Sequence, residues 1–205
     1  ILYKDVVSRF NIRNTSLLEN LLLYLMNNLG SLFSANRISD YLKSQKINIS
    51  PRIIIEYISH FENAFLLFKV KRMGITGRKI FEVGEKYYFE DLGIRHAMLG
   101  YKIDDIGKIL ENLVFKHLQR NKFNVFIGNL NDNEIDFVGE KGQERVYVQV
   151  AFKTTENKAW QREFGNLLVI KDNHPKYVVS MDDYIEGGQK GIEHIHIREF
   201  LIREL

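Results

Sequence analysis

The first 62 residues carry hydrophobic positions at helical spacing, and they predict three short helices over residues 16–28, 35–44 and 50–62. Ser16 and Glu19 have the spacing of a capping box, in which the hydroxyl bonds the third amide and the carboxylate reaches back to the cap. The connection between the second and third helices is short, as it is in a helix-turn-helix.

Two strand-like runs follow, FLLFKVKRM over 65–73 and RKIFEVG over 78–84, and a glycine-containing loop joins them. Three helices followed by a hairpin is the element order of a winged helix-turn-helix, in which the hairpin is the wing. A basic hairpin of this kind suits an approach to phosphates. The cations of this hairpin are Lys69, Lys71, Arg72, Arg78 and Lys79.

The third helix of such a unit enters the major groove of DNA, and it would expose Arg52 there. Residues 1–90 carry 13 Lys or Arg against 8 Asp or Glu, whereas residues 91–205 carry 16 against 18, so an anionic partner would meet the first half. Winged helices also serve as protein-interaction or interdomain modules, and a basic hairpin is equally compatible with a solvated surface. DNA and a protein are therefore both predicted as partners of this half.

The second half alternates helical and strand patterns after an aromatic-rich connection over 85–103. The order αβββαββα predicts a mixed α/β domain in which helices pack on a central sheet. The predicted helices cover 104–121, 157–168 and 198–205, and the predicted strands cover 124–128, 134–139, 145–153, 176–182 and 191–197.

The hairpin EIDFVGEKGQERVYVQVAFK carries the candidate chemistry. Metal-dependent phosphodiester cleavage needs two or three oxygen ligands for Mg²⁺ and a Lys near the attacked phosphate. Asp136 lies on one strand, and Gln149, Ala151 and Lys153 share a face of the next because side chains alternate along a strand. Glu111 lies among the apolar positions of the preceding helix and is the second candidate ligand.

Two of these positions depart from what the chemistry needs. Gln149 offers a neutral carbonyl where a carboxylate would attract the metal, and Ala151 removes the ammonium group. Lys153 lies about 6–7 Å further along the strand, a gap that its long side chain partly bridges. Three interpretations stay open: a degenerate nuclease-like core, an active nuclease that holds Mg²⁺ weakly through Asp136 and Glu111, and a packed hairpin without catalytic ancestry. The substitutions favour the degenerate core.

Composition and missing motifs exclude several classes of protein. The chain has no cysteine, which excludes thiolate chemistry and disulfides and favours a reducing cytoplasm. It has no P-loop motif and no apolar run long enough to span a membrane. His194 and His196 share a strand face without an identifiable third metal ligand, which favours two exposed histidines. The first residue is not Met, which predicts a longer protein around this chain.

Several strings in the chain resemble one known family, namely YYFEDLGIRHAMLG (87–100), IGKILENLVFKHL (106–118), EIDFV (134–138), VYVQVAF (146–152) and REFGNLLVIKDNHPKYVVSMDD (162–183). They are similar to the DUF4143 domain, a PD-(D/E)XK nuclease-like domain at the C-terminus of AAA+-type prokaryotic ATPases. The resemblance implies an ATPase module, with its bound ATP, upstream of this chain. It also implies that Glu111 and Asp136 match acids of the nuclease core, while Gln149 and Ala151 stand where active members have Glu and Lys.

The chain is accordingly predicted to be an α/β protein, with an N-terminal winged helix-turn-helix over 1–84 followed by a PD-(D/E)XK nuclease-like mixed α/β domain over 85–205. Its expected role is that of a C-terminal fragment of an AAA+-type ATPase, which contacts DNA without catalysis of its own. Partner recruitment or assembly and residual Mg²⁺-dependent cleavage are the alternatives. The expected DNA-binding residues are Arg52 and the five hairpin cations. No cofactor beyond weakly held Mg²⁺ is expected, and an oligomer is compatible with the sequence.

Overall fold

The structure is a computed structural model of the 205-residue chain. It describes residues 6–10, 12, 14–77, 80, 84–130, 133–154, 157–183 and 188–205. Within these residues the chain forms the helices α1 (Thr15–Asn27), α2 (Ala35–Ser44), α3 (Pro51–Asn63), α4 (Leu92–Leu99), α5 (Ile106–Arg120), α6 (Asn157–Leu168) and α7 (Ile197–Ile202). The strands are β1 (Leu67–Val70), β2 (Arg72–Gly74), β3 (Lys86–Phe89), β4 (Asn124–Leu130), β5 (Asn133–Lys141), β6 (Glu144–Val150), β7 (Lys176–Ser180) and β8 (Ile192–His196).

The predicted mixed α/β class is confirmed, and the sheet of the second half contains both parallel and antiparallel pairs. Helix α4 was not predicted, although its ends have ordinary signals. The Asp91 side chain accepts a hydrogen bond from Gly93 N at its start, and Gly100 follows its last residue with a φ of 71°.

The start of α1 differs from the predicted capping box. Asn14 is the N-cap, and its Oδ1 accepts a hydrogen bond from Leu17 N at 3.0 Å. Ser16 therefore already lies inside the helix, so the predicted cap at Ser16 is wrong. Asn caps a helix as well as Ser does, which is why the spacing of Ser16 and Glu19 was not decisive.

The chain divides into two compact units. Unit 1 contains Ile1–Lys69 and Val83–Tyr101, and unit 2 contains Val70–Glu82 and Lys102–Leu205. The predicted domains of 1–84 and 85–205 stay a prediction. In the compact units, β3 belongs to unit 1, where it pairs with β1.

Unit 1 is built from α1 to α4 and a two-stranded sheet of β1 and β3. The segment after α1 extends along β3, since Gly30 N donates to Tyr87 O and Phe33 N donates to Glu85 O. Arg95 of α4 is fully buried, and its Nε donates to the carbonyl of Met26 near the end of α1. The apolar core of the unit includes Leu18, Leu21, Leu22, Ile54, Ile58 and Phe61.

Unit 2 is built around a six-stranded sheet in the order β2-β4-β5-β6-β7-β8. Strands β4, β5 and β6 are antiparallel, whereas β2 is parallel to β4, and β7 is parallel to both β6 and β8. Helices α5 and α7 cover one face, where Phe115 meets Phe137 and Phe200 meets Tyr177. Helix α6 covers the other face, where Phe164 joins the core cluster.

The predicted strand over 65–73 divides between two sheets. Its first part forms β1 beside β3, and its last part forms β2, which runs parallel to residues 127–129 of β4. Met73 explains the division, because its buried side chain belongs to the core cluster of unit 2. The predicted partner strand over 78–84 falls largely outside the described residues, and the bridge between Met73 and Ile80 is the antiparallel pairing described there.

The described part of the chain contains no helix with the length and apolarity that a membrane crossing would require.

Candidate functional site

A β-bulge in β5 positions Asp136. The antiparallel register pairs Phe126 with Val138 and Gly128 with Ile135, so β5 has one residue more than β4 in this interval. Ile135 and Val138 consequently both join the core cluster, and Asp136 lies in the bulge between them. Gly128 permits this close approach, because a Cβ there would lie 2.8 Å from side-chain atoms of both residues.

Asp136 and Gln149 continue the β5–β6 ladder with their side chains. The backbone register of the two strands runs to Phe137 and Val148. One step further, Asp136 N donates to Gln149 Oε1 at 2.6 Å, and Val150 N donates to Asp136 Oδ2 at 2.8 Å. Side-chain oxygens therefore accept bonds that backbone carbonyls would accept in a longer ladder.

The same glutamine reaches α6 through its amide nitrogen. Gln149 Nε2 donates to Glu163 Oε2 at 2.7 Å, and both side chains are almost fully buried. Arg162 Nε and Nη2 donate to the other oxygen, Glu163 Oε1, at 2.8 and 2.5 Å. The hydrogen bond to Glu163 is the main reason why the pKa of Arg162 is raised, and Asp136 adds to it. We call Asp136, Gln149, Glu163 and Arg162 the Gln149 network.

The Gln149 network matches donors to acceptors and pairs its buried glutamate with an arginine. Gln149 uses its oxygen on the backbone of Asp136 and its nitrogen on Glu163, and the guanidinium of Arg162 balances the buried carboxylate. Over the described ranges, no three His, Cys, Asp or Glu side chains are grouped where they could hold a metal ion. The hydrogen bonds of the Gln149 network link β5, β6 and α6.

The other two predicted nuclease positions occupy different places. Glu111 lies half-buried on α5, which packs on the face of the sheet opposite to α6. Strand β6 ends at Val150, so the alternation that put Lys153 on the face of Gln149 does not extend to it. Lys153 is exposed, and its Nζ lies 5.7 Å from the ring centroid of Phe152.

Two of the predicted DNA-binding residues belong to unit 1. Arg52 is exposed in the first turn of α3. Lys69 Nζ lies 3.4 Å from a carboxylate oxygen of Glu62 and 5.9 Å from the ring centroid of Tyr87. The charge of Lys69 is thus partly balanced within the unit.

Two further candidates belong to unit 2. The carbonyl of Lys71 accepts a hydrogen bond from Ile127 N, and Arg72 is half-buried in β2. The backbone at these two residues is consequently part of a sheet. Arg78 and Lys79 lie outside the described residues.

A second polar cluster joins the segment after β6, the carboxyl end of β7 and the middle of β8. Asp182 Oδ2 accepts hydrogen bonds from Thr154 N at 2.9 Å, from Thr154 Oγ1 at 2.7 Å and from Ser180 Oγ at 2.9 Å. His194 Nε2 lies 2.8 Å from Ser180 Oγ and 3.6 Å from Asp182 Oδ2. We call Thr154, Ser180, Asp182 and His194 the Asp182 network.

The Asp182 network corrects the prediction of two exposed histidines. The His194 side chain is only 7% exposed. His196 is half-buried, and its Nδ1 caps α7 by accepting a hydrogen bond from Arg198 N. Although serine, histidine and aspartate meet here, Ser180 has no exposed surface, so its hydroxyl cannot attack a substrate. The cluster ties the segment after β6 to β7 and β8 instead.

A third cluster lies at the opposite ends of β6 and β7. Tyr147 Oη donates to Asp172 Oδ2 at 2.5 Å, and Lys176 Nζ donates to Asp172 Oδ1 at 3.0 Å. Arg145 bonds both Tyr147 Oη and the carboxylate of Glu140. Burial, helped by the bond to Asp172, raises the pKa of Tyr147 to about 12, so its hydroxyl stays protonated and donates.

Comparison with known proteins adds the family to this two-unit architecture. The chain combines a mainly helical unit with a mixed α/β unit. The family described as a domain of unknown function, DUF8612, matches residues 1–105, about half of the chain. The chain therefore belongs to the DUF8612 family.

Two relatives extend over nearly all of this chain. An uncharacterized protein of Haemophilus influenzae is 36% identical over 203 residues, which is 99% of this chain and 50% of that protein. An uncharacterized protein of Methanocaldococcus jannaschii is 30% identical over 200 residues, which is 93% of this chain and 43% of that protein. The chain thus spans about half the length of these curated relatives. No solved structure matches it.

The predicted membership in the DUF4143 family is wrong. The matching family is DUF8612, and neither relative has a name that refers to an AAA+ ATPase. The strings that produced the resemblance form helices and buried strands, the first of them in unit 1 and the others in unit 2. Such patterns recur among unrelated families of the same architecture, so they did not distinguish one family from another.

Proposed function

We propose that this chain is a binding scaffold without catalysis of its own, which recruits a protein partner through α3. The observation that carries the proposal is the exposure of two isoleucines on α3, which flank its buried stripe on either side: Ile53 is 39% and Ile55 is 54% exposed. Two exposed isoleucines on one short helix offer apolar area to a partner, whereas direct DNA reading uses Arg, Lys, Asn or Gln. On this helix Arg52 stands beside exposed Glu56, which phosphates would repel.

We also propose that unit 2 has a nuclease-like ancestry, which would account for the absence of catalysis in this proposal. Asp136 lies on the second strand of the antiparallel hairpin sheet, and Gln149 and Ala151 occupy the positions where cleavage would need a carboxylate and an ammonium group. Gln149 is held between the backbone of Asp136 and the carboxylate of Glu163. In this account the former catalytic positions have become the Gln149 network, which stabilises the sheet.

We also propose that unit 1 has a winged helix-turn-helix ancestry, in which α3 would be the contact helix. Helices α1, α2 and α3 are followed by β1 and β3, and residues 30–33 run along β3 in the place of a first short strand. The connection between β1 and β3 takes the place of the wing. Because it contributes β2 to the sheet of unit 2, the wing cations Lys71 and Arg72 are fixed there. Helix α3 is then the element of unit 1 that we propose as the contact.

Contact of α3 with DNA is the competing proposal. It is supported by Arg52 and by Lys46, which is exposed in the turn before α3. One experiment distinguishes the two, because a cross-linker on α3 reports whichever partner is present. The cytoplasmic location and the oligomeric state also stay predictions.

Photo-cross-linking from α3 should capture one protein. We expect a cross-linkable amino acid at Ile55, in the cells that naturally contain the protein, to give a discrete protein adduct that nuclease treatment does not remove. Ile53→Ser should lower the yield of this adduct roughly fivefold, the effect of about 1 kcal/mol at an interface. Mass spectrometry of the adduct identifies the partner.

The matched control is Leu32, another exposed aliphatic residue of unit 1, which is 44% exposed and lies between α1 and α2. The same cross-linker at Leu32 should not give this adduct. An adduct that nuclease digestion removes would establish DNA as the partner of α3. The absence of any adduct at position 55 would contradict the recruiting role.

A further inference from the structure

We propose that unit 2 has a separate binding site for the phosphodiester backbone of nucleic acid, in the open groove at the C-terminal end of α5. The groove has a volume of about 820 Å³. Three cations, Lys116, Arg120 and Lys122, line it, and none of its described lining residues is an Asp or a Glu. This site is independent of α3, which belongs to unit 1.

The cations form a short row. Lys116 and Arg120 are four residues apart on α5, so they lie on the same side of the helix at about 6 Å along its axis. Lys122 follows two residues later in the turn that leads to β4, with a φ of 65°. Such a row suits an extended partner with repeated negative charges better than a single small anion.

The end of a helix normally opposes an anion because its last carbonyls are exposed and partially negative. Here these carbonyls already accept hydrogen bonds. Asn121 N and Asn121 Nδ2 donate to His117 O, Lys122 N donates to Gln119 O, and Phe123 N donates to Leu118 O. The negative end of α5 is therefore largely satisfied, and three positive side chains line the groove.

The wall of the groove offers donors that suit phosphate oxygens. Arg120 Nη2 donates to Leu201 O at 3.2 Å, so the guanidinium is held at the rim with further N–H donors available to oxygens. Leu113, Phe123 and Leu201 line the groove beside the cations. Phosphates are recognised by cations and donors, and the competition experiment below distinguishes them from an acidic protein segment.

His117 does not add to the positive charge. Burial lowers its pKa, and the nearby Arg120 lowers it further, so the imidazole is neutral at physiological pH. The charge of the groove at neutral pH is accordingly set by the three cations.

Duplex binding with charge-removing variants tests the site. We expect the chain to bind a fluorescently labelled DNA duplex at about 50 mM salt and to lose roughly 40-fold in affinity at about 200 mM, as three phosphate contacts require. The variant with Lys116→Gln, Arg120→Gln and Lys122→Asn should bind at least tenfold more weakly at the lower salt and show a flatter salt dependence. Asn is chosen at position 122 because it accepts a positive φ.

The matched control removes three exposed cations from unit 1, with Arg9→Gln, Arg37→Gln and Lys43→Gln. It should bind the duplex as the unaltered chain does. Equal binding by the groove variant and the unaltered chain would overturn the inference. Arg120→Gln alone, which should weaken binding by itself, keeps the test valid if the triple variant fails to fold.

Competition with two other anions distinguishes nucleic acid from an acidic protein surface and from a small anion as the ligand of the groove. An excess of polyglutamate should not displace the duplex, and neither should inorganic phosphate at the same ionic strength. Displacement by polyglutamate would show that an acidic protein surface is the partner, and displacement by phosphate would show a small-anion site. Either result would overturn the assignment to nucleic acid, while the cross-linking result at α3 would stand.

Discussion

Gln149→Glu is expected to lower the free energy of unfolding by about 2–4 kcal/mol, because it removes a buried donor and sets two carboxylates side by side. In the native chain Gln149 Nε2 donates to Glu163 at 2.7 Å, and both side chains are buried. The new carboxylate could still accept from Asp136 N, but it would repel Glu163. Urea denaturation at neutral pH measures the loss.

Exchanging the two residues should restore most of the lost stability. With Gln149→Glu and Glu163→Gln together, the amide nitrogen donates in the reverse direction and its oxygen accepts from Arg162. The matched control is Gln161→Glu, an exposed change of the same chemistry on α6, which should alter stability by less than about 0.5 kcal/mol. If the exchange were no more stable than Gln149→Glu alone, the bond between the two side chains would not be the stabilising contact.

Asp182→Ala is expected to cost about 3–5 kcal/mol, because it leaves three buried donors of Thr154 and Ser180 without their acceptor. The loss should appear as a lower midpoint of urea denaturation with an unchanged slope. Asp183→Ala changes the exposed neighbour and should have little effect. A similar loss in both variants would show that the chain direction at this turn, and not the Asp182 network, carries the stability.

The same network should make the protein sensitive to acid. Burial alone would raise the pKa of Asp182, but the hydrogen bonds from Thr154 and Ser180 outweigh it and lower the pKa. Burial also lowers the pKa of His194, against the pull of Asp182. Both groups therefore resist protonation in the folded state. Each contributes stability above its unfolded pKa, which is about 3.9 for Asp182 and about 6.5 for His194, and this contribution is lost as the pH falls below that value. The decline below about pH 4 should be smaller in Asp182→Ala.

The sequence predicted the elements of unit 2 well because their patterns are local. The hairpin of β5 and β6, the placement of Asp136 on its first strand, and α6 all follow from apolar periodicity and turn residues. The role of Gln149 could not be read in this way. Its partner Glu163 lies 14 residues away on another element, and only the packing of α6 on the sheet brings the two together.

The division of the predicted wing strand between two sheets also depends on tertiary structure. FLLFKVKRM reads as one continuous strand, and nothing local marks the change of sheet between Val70 and Arg72. The strand changes sheet because the side chain of Met73 is buried in the core of unit 2. The Asp182 network was missed because its members come from three separate segments of the chain, and the parallel order of β6, β7 and β8 supplies a proximity that no spacing in the sequence encodes.

The most direct test of the non-catalytic account is a plasmid-nicking assay with the purified chain in Mg²⁺ or Mn²⁺. The account predicts no cleavage above the buffer control, both for the unaltered chain and for Asp136→Asn, in which an amide oxygen can still accept the hydrogen bond from Val150 N. Cleavage that persists in Asp136→Asn at the same rate would come from a contaminant. Cleavage by the unaltered chain that Asp136→Asn abolishes, at equal purity and melting temperature, would contradict the account and establish a working nuclease site.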